Sequence, residues 1–395
     1  MRSAWVISSL MLLVWLAPGC AELEYDNKSA VFDHPRESLN DSLGNIWLKT
    51  CYLYPARDYL IFSWAGRALF GDEAWDVTLD GQVPDGPFFL NRDIRNISVE
   101  ELRSSPPDAI PPTTPWHIKK SKDTGATPGF VGEDASGQSY LVKFDDPAYP
   151  ELGTSAEIIG ARLYRLMGYR VPVTYLTTIE GTGDARYDGK RATASAFVPG
   201  KVIGQFKFDC YRLRREVRAM RLIAAWLNDT DRVDNNTLVA IEDGRALCYL
   251  VDFNSCLGSW NGRPKGPWRG WRYAWDVEYQ LLGVSSLGLL PALPHAVPVK
   301  SPAVGSCDLL TAGDPRAWRS QNPNTAFDRM TRSDAQWIAC RMASVSLSQL
   351  QAVVASADFS DPADADAVLQ MLQHRRERLL AAWGFGDLLN AAGGG

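Results

Sequence analysis

The chain has 395 residues, 46% of them hydrophobic and 22% charged, a globular composition long enough for one large core or two smaller ones. Its formal net charge is −5 with Lys and Arg scattered, so it lacks the basic footprint of a nucleic-acid binder. The only histidines are His34, His117, His295 and His374, and no Cys-x-x-Cys is present, which leaves no spacing for a structural zinc site.

The N-terminus reads as an export address. Arg2 precedes an apolar run from Ala4 to Leu16, too short to span a bilayer comfortably and shaped like a secretory core. It ends in "LAPGC", which resembles the lipobox of bacterial lipoproteins, although Pro18 is unusual there and Leu16 stands one place early. That resemblance implies a signal peptide over 1–20 and a lipid on Cys20. The mature protein would be held on an outward-facing bacterial membrane, the outer membrane or cell surface given Ala21 after the Cys. Ordinary signal cleavage nearby is the alternative. Without Cys20 six cysteines remain, Cys51, Cys210, Cys248, Cys256, Cys307 and Cys340. They permit three disulfides in an oxidising compartment, or serve as small buried hydrophobes.

Residues 21–102, with Trp47, Trp64 and Trp75, read as an irregular, partly β region without nameable chemistry. "RSSPPDAIPPTTP" over 103–115 is a proline-rich linker and the main domain boundary. After it "WHIKKS", "FVGED" and "SYLVKF" read as three strands, joined by the turn "DTGATPG" and the hairpin "ASGQ". Period two puts Tyr140, Val142 and Phe144 on one face of the third strand and Lys143 on the other. A helix follows over 155–167, with Ala156, Ile159, Gly160, Leu163 and Met167 as its apolar stripe and Gly168 as its stop. Two more strands, "VTYLTTI" and "ATASAFV", lead to a connector, "PGKVIG".

From 212 the pattern is helical up to "WLNDTDRVDNNTL" (226–238), where aspartates and asparagines crowd the helix end. A hairpin, "TLVAI-EDG-RALCYLVDF", carries Asp252 directly after its second strand. A Trp- and Pro-rich stretch, helices from about 333 to 385 and a tail over 391–395 complete the chain. "GTGDARYDGKR" lacks the spacing of a phosphate-binding Walker loop, and no Gly-x-Ser-x-Gly elbow occurs.

The order of these pieces resembles the protein-kinase-like superfamily, in its atypical branch of phosphoinositide-kinase-like, secreted and toxin kinases. Asp231-Arg232-Val233-x-x-Asn236 stands for that branch's Asp-Arg-His-x-x-Asn. Asp252-Phe253-Asn254 with Leu257-Gly258 stands for its Asp-Phe-Gly and Leu-Gly. The resemblance covers about 116–260. It implies an α+β, two-lobed kinase-like fold: a small β-rich N-lobe over 116–200, a larger helical C-lobe over 201–390, and an extra N-terminal region. It implies ATP and Mg²⁺ or Mn²⁺, with Asp231 as the catalytic residue, Asn236 and Asp252 as metal ligands, and Lys143 paired with Glu157 on the nucleotide phosphates. Gly125 and Gly129 would bring backbone N–H groups over those phosphates. The acceptor (protein, lipid or glycan) is not legible. Val233 departs from the His, removing a side chain that could share the proton. Asn254 departs from the Gly, which Asn replaces most readily.

Each residue has a plainer reading. Thr154-x-x-Glu157 is a capping box that would tie Glu157 to its own helix, leaving Glu151 as the lysine's partner. Lys143 also has a reading as a solvated strand lysine, and the aspartates of 229–234 as turn formers. The functional alternative is a catalytically inactive kinase-fold surface lipoprotein acting as a binding module.

Overall fold

The computed structural model describes residues 74–104, 106, 109–122, 127–274, 276, 284, 285, 297–311 and 313–392. The leader with Cys20, the cysteine Cys51 and the turn glycine Gly125 lie outside them.

The class is α+β, with a β-rich region followed by a helical part. A short helix, α1 (Val99–Arg103), precedes five strands. These are β1 (His117–Ser121), β2 (Gly129–Glu133), β3 (Ser139–Phe144), β4 (Thr174–Thr178) and β5 (Arg191–Ala196), in the antiparallel order β1-β2-β3-β5-β4. Alternation works as expected on β3: Tyr140, Val142 and Phe144 join Trp116, Phe130, Tyr175 and Ala194 in a small apolar core on one face. The other face is also covered, because α2 (Leu152–Met167) packs there. Lys143 is therefore 4% exposed and is not a solvated strand lysine.

Helix α2 begins three residues earlier than its stripe suggests. Asp145 supplies the signal from outside the helix, accepting from the backbone N–H groups of Gly153 and Thr154 at 2.8 Å each and from the Thr154 hydroxyl at 2.7 Å. Two of the helix's unpaired donors are thus satisfied. With Thr154 committed to Asp145, the capping box does not form and Glu157 is free to point elsewhere.

The connector "PGKVIG" is a strand, β6 (Lys201–Gly204), which pairs with the hairpin of β7 (Thr237–Glu242) and β8 (Arg245–Leu250). Between them α3 (Arg215–Leu227) is buried almost all round. It ends on Asn228 in the left-handed conformation, φ 50°, whose N–H returns to Ala224 and Ala225. Two-residue strands β9 (Ser259–Trp260) and β10 (Arg263–Pro264) form one ribbon, and β11 (Val299–Ser301) and β12 (Gly305–Ser306) another. Helices α4 (Thr325–Asp328), α5 (Arg332–Ala343), α6 (Leu347–Ala355), α7 (Pro362–Ala382) and α8 (Asp387–Ala392) follow. Helix α6 is separated from α5 by a new capping box at Ser346 and Gln349.

The large core runs from Val83, Phe88 and Phe89 through α2 and α3 to α7. The described part of the N-terminal region therefore packs into the same core: Phe89 meets Tyr169 edge-on at 5.7 Å. Cysteines take part as small apolar residues. Cys210, Cys248 and Cys256 are buried, and all five described cysteines, with Cys307 and Cys340, are free thiols. No disulfide joins the described cysteines, so the expectation of three is not met among them: Cys210, Cys248 and Cys256 fill space in the interior, while Cys340 is exposed.

Candidate active site

Lys143 organises the cleft between the five-stranded sheet and α3. Its Nζ donates to Glu157 Oε2 at 3.0 Å and to Asp252 Oδ1 at 2.9 Å. Each contact has a local cause. β3 presents Lys143 on its α2 face, α2 places Glu157 one turn in from its start, and β8 ends so that Asp252 turns back with φ 60°. That left-handed conformation is uncommon outside Gly, Asn and Asp. Glu157 Oε2 also accepts the Phe253 N–H at 3.1 Å, so α2, β3 and the loop after β8 meet at one carboxylate.

Burial pulls the Lys143 ammonium down, but Asp252 and Glu157 outweigh it and hold it above the ordinary lysine value. Burial raises Asp252 in turn, and Lys143 overcomes it, leaving that carboxyl below its usual range. Glu157 stands above its usual range through burial, against the pull of Lys143.

On the opposite wall the helix-end motif folds around Arg232. This fully buried guanidinium donates to Asp229 Oδ2 at 2.9 Å, to the carbonyls of Asn236 at 3.0 Å and Val251 at 2.9 Å, and to that of Asp252 at 2.7 Å. Tyr164 of α2 donates its hydroxyl to the same Asp229 at 3.0 Å. Arg232 thus holds the loop after α3 against the loop after β8. Asn236 donates Nδ2 to the Asp231 carbonyl at 2.7 Å and to its Oδ2 at 3.3 Å. Burial, then the nearby charges of Asp252 and Asp229, raise the Asp231 carboxyl to about 7.

The structure therefore brings Lys143, Glu157 and Asp252 into direct contact, and Asp231 beside Asn236 on the same rim. Gly129 stands at the start of β2 opposite Lys143. A Cβ there would lie 2.1 Å from the Val142 carbonyl oxygen, so strand pairing alone requires glycine. Gly125 lies outside the described residues. Glu151, the fallback partner, instead caps α2 with φ 67° and bonds Ser360. Asn254, in place of Gly, donates Nδ2 to Thr127 Oγ1 at 3.0 Å, tethering Thr127, just before β2, to the loop after β8.

Sequence reasoning missed Arg232, Asp229 and Tyr164, and also Lys265. The buried Lys265 Nζ donates to the carbonyls of Ser255 at 2.7 Å and Leu257 at 2.8 Å and to that of Asn228. Lysine after a Trp-Asn-Gly turn carries no signal of that role.

A divalent cation fits the oxygens left over. Asn236 Oδ1, Asp252 Oδ2 and Asp231 Oδ1 accept no hydrogen bond among the described residues, and the Asp252 side chain is 33% exposed. All three are hard oxygen donors, the kind magnesium and manganese take. No group of three or more His, Cys, Asp or Glu that could hold a metal occurs among the described residues.

No protein-family model matches the chain, and no curated protein matches it. Three solved structures are similar to it. One is a Helicobacter pylori proinflammatory kinase, CtkA, at 11% identity and TM-score 0.41, covering 71% of this chain and 98% of that one. Another is the Shewanella oneidensis MR-1 toxin–antitoxin complex of HipA, HipB and operator DNA, at 11% identity and TM-score 0.35, covering 73% and 76%. The third is the Golgi casein kinase, at 12% identity and TM-score 0.34, covering 91% and 95%.

Proposed function

We propose that the chain is a kinase-like phosphotransferase that uses ATP and a divalent metal, Mg²⁺ or Mn²⁺. The observation that carries the reading is the Lys143 ammonium held between Glu157 and Asp252, with the unpartnered oxygens of Asp231 and Asn236 on the same rim. Phosphoryl transfer asks a protein for positioned charge, metal ligands and a group to orient the attacking hydroxyl, and little covalent chemistry.

Asp252 and Asn236 would hold the metal, which when bound offsets the charge of the transferred phosphate. Glu157 orients Lys143 toward the nucleotide's phosphates. Asp231, raised to about 7 by burial and two neighbouring carboxylates, accepts the acceptor's hydroxyl proton near neutral pH. The acceptor oxygen then bonds to the terminal phosphorus as the bridging oxygen departs with the nucleoside diphosphate. Acceptors of protein, lipid or glycan chemistry all carry the required hydroxyl. Export with a lipid on Cys20 belongs to the same proposal, and mass spectrometry of the membrane-extracted protein tests it by the mass of the N-terminal peptide.

The test is thermal unfolding of the Ala21–Gly395 fragment with and without ATP and Mg²⁺ or Mn²⁺, alongside Asp252→Ala. At about a hundred times its dissociation constant a ligand adds about 2.7 kcal/mol, a shift of several degrees. A metal-dependent shift that Asp252→Ala abolishes supports the reading; no shift with any nucleotide or metal sinks it. A second reading, a nucleotide-binding module without transfer, is favoured by Val233, which leaves no side chain beside Asp231 to share a proton. Binding without turnover of ATP would select it.

A further inference from the structure

One cation at this site has an open edge. The turn after β10 carries Arg269, whose guanidinium lies 3.5 Å from the Trp260 ring centroid and 4.4 Å from that of Trp268. Gln321 fixes the stack from a third side: its Oε1 accepts from Trp260 Nε1 at 3.1 Å and from Arg269 Nη1. The same Gln321 donates its backbone N–H to the Thr230 carbonyl at 2.6 Å, and Thr230 immediately precedes Asp231. Three short contacts therefore fix Arg269 relative to Asp231. Burial pulls the Arg269 guanidinium down to about 10, and Asp231 is the charge that opposes the fall.

Stacking covers the faces of the guanidinium and leaves its edge. Nε and Nη2 donate to no group among the described residues, and the side chain is half-buried. These two N–H groups point in parallel, the fork that matches two oxygens of a carboxylate or phosphate. The neighbouring cations have partners: Arg232 has Asp229 and three carbonyls, Lys143 two carboxylates, and Lys122 the Thr127 carbonyl and hydroxyl. The rim is otherwise acidic through Asp231 and Asp252, so an anionic group approaching from this side meets favourable charge at Arg269.

We propose that Arg269, in its cradle of Trp260, Trp268 and Gln321, is an oxyanion subsite beside Asp231 that takes a phosphate or carboxylate of the reacting pair. The proposal rests on the phosphotransfer reading and narrows its substrates. The oxyanion is either the terminal phosphate of the nucleotide or an anionic group on the acceptor.

Isothermal titration of the full-length chain and its Arg269→Lys and Arg269→Gln variants tests it. The probes are ADP–Mg²⁺, ATP–Mg²⁺, and inorganic phosphate with and without ADP–Mg²⁺. Equal ADP affinity across the three proteins shows that the variants fold and keep the nucleotide site. If the terminal phosphate is the ligand, the ratio of ATP to ADP affinity falls about tenfold in Arg269→Gln and less in Arg269→Lys, the cost of one charge-assisted contact. If the acceptor supplies it, that ratio holds while inorganic phosphate loses about tenfold in Arg269→Gln. Affinities for ATP and phosphate equal to wild type in Arg269→Gln overturn the subsite. Should the wild type bind no nucleotide, the phosphotransfer reading fails, and phosphate titrated into the free protein decides alone. A tenfold loss in Arg269→Gln keeps the subsite; equal or absent binding removes it.

Discussion

Lys143 Nζ and Asp252 Oδ1 lie 2.9 Å apart although 109 residues separate them in the chain. The contact closes the site on itself: the carboxylate proposed for the metal is held by the lysine proposed for the phosphates. On the phosphotransfer reading, loading would exchange this ion pair: Asp252 would turn to the cation and Lys143 to phosphate, with Glu157 still holding the lysine.

The same contact sets a stability prediction. Lys143→Met leaves Glu157, whose side chain is 3% exposed, beside Asp252 without a counter-charge. Removing one partner of a buried pair costs about 3–5 kcal/mol. Urea denaturation should show that loss, and adding Glu157→Gln should recover part of it by removing the stranded charge. A loss below about 1 kcal/mol in the single variant would mean that the trio is solvated.

Asp231 gives a pH prediction with a definite sign. Its carboxyl moves from 3.8 to about 7 on folding, so between those values the folded state binds more protons than the unfolded one. Stability from this group therefore falls as pH rises from about 4 to about 7 and is level outside that window. Asp231→Asn, which resembles the protonated form, should be more stable than wild type by about 2–4 kcal/mol at pH 8 and about equal to it at pH 4. Denaturation curves at the two pH values check this. A gap of the same size at both would assign the titration to another group.

Much of this site was legible because its parts sit at element ends. Alternation placed Lys143 opposite the apolar face of β3, and the Asp after an apolar strand marked Asp252. The covering that buries Lys143 was not legible, since it comes from α2 crossing a face on which Leu141 is the strand's only apolar side chain. Asp145 was missed as the cap of α2 because it stands seven residues before the helix, with Glu151 between them in a left-handed turn. The strand β6 was missed because "KVIG" is short and follows Pro-Gly, and only pairing with β7 makes it a strand. Arg232 hid inside its own motif: an Arg between two Asp reads as solvated, and only the fold supplies four acceptors for it.

Gly160 tests how closely α2 seats on the loop after β8. A Cβ there would lie 2.8 Å from Cys256 Sγ and 2.8 Å from Phe253 Cβ. Alanine would favour the helix by up to about 1 kcal/mol, but overpacking costs about 1–3 kcal/mol. Gly160→Ala should be destabilised by about 1–2 kcal/mol and bind ATP–Mn²⁺ more weakly, since Phe253 follows Asp252 directly. Adding Cys256→Ala removes one of the two obstructions and should restore part of the stability. A Gly160→Ala protein as stable as wild type would show that the loop after β8 gives way at no cost.

Arg232 should couple stability to binding. Its planar fork reaches Asp229, Asn236, Val251 and Asp252 together, and its guanidinium lies 4.8 Å from the Phe253 ring centroid and 5.6 Å from that of Tyr164. A lysine keeps the charge but offers one nitrogen with three donors, which cannot span both loops. Arg232→Lys should lose about 2–4 kcal/mol, the cost of leaving buried carbonyls unpaired. It should also lose about tenfold in ATP–Mn²⁺ affinity at temperatures where it stays folded, because Asp252 and Asn236 are no longer held in register. Tyr164→Phe removes only the hydroxyl contact to Asp229, so it should cost about 1 kcal/mol and leave nucleotide affinity unchanged. Denaturation and isothermal titration on the two variants separate the effects. If Arg232→Lys is destabilised yet binds the nucleotide–metal pair like wild type, Arg232 holds up the fold alone and the two loops take their places without it.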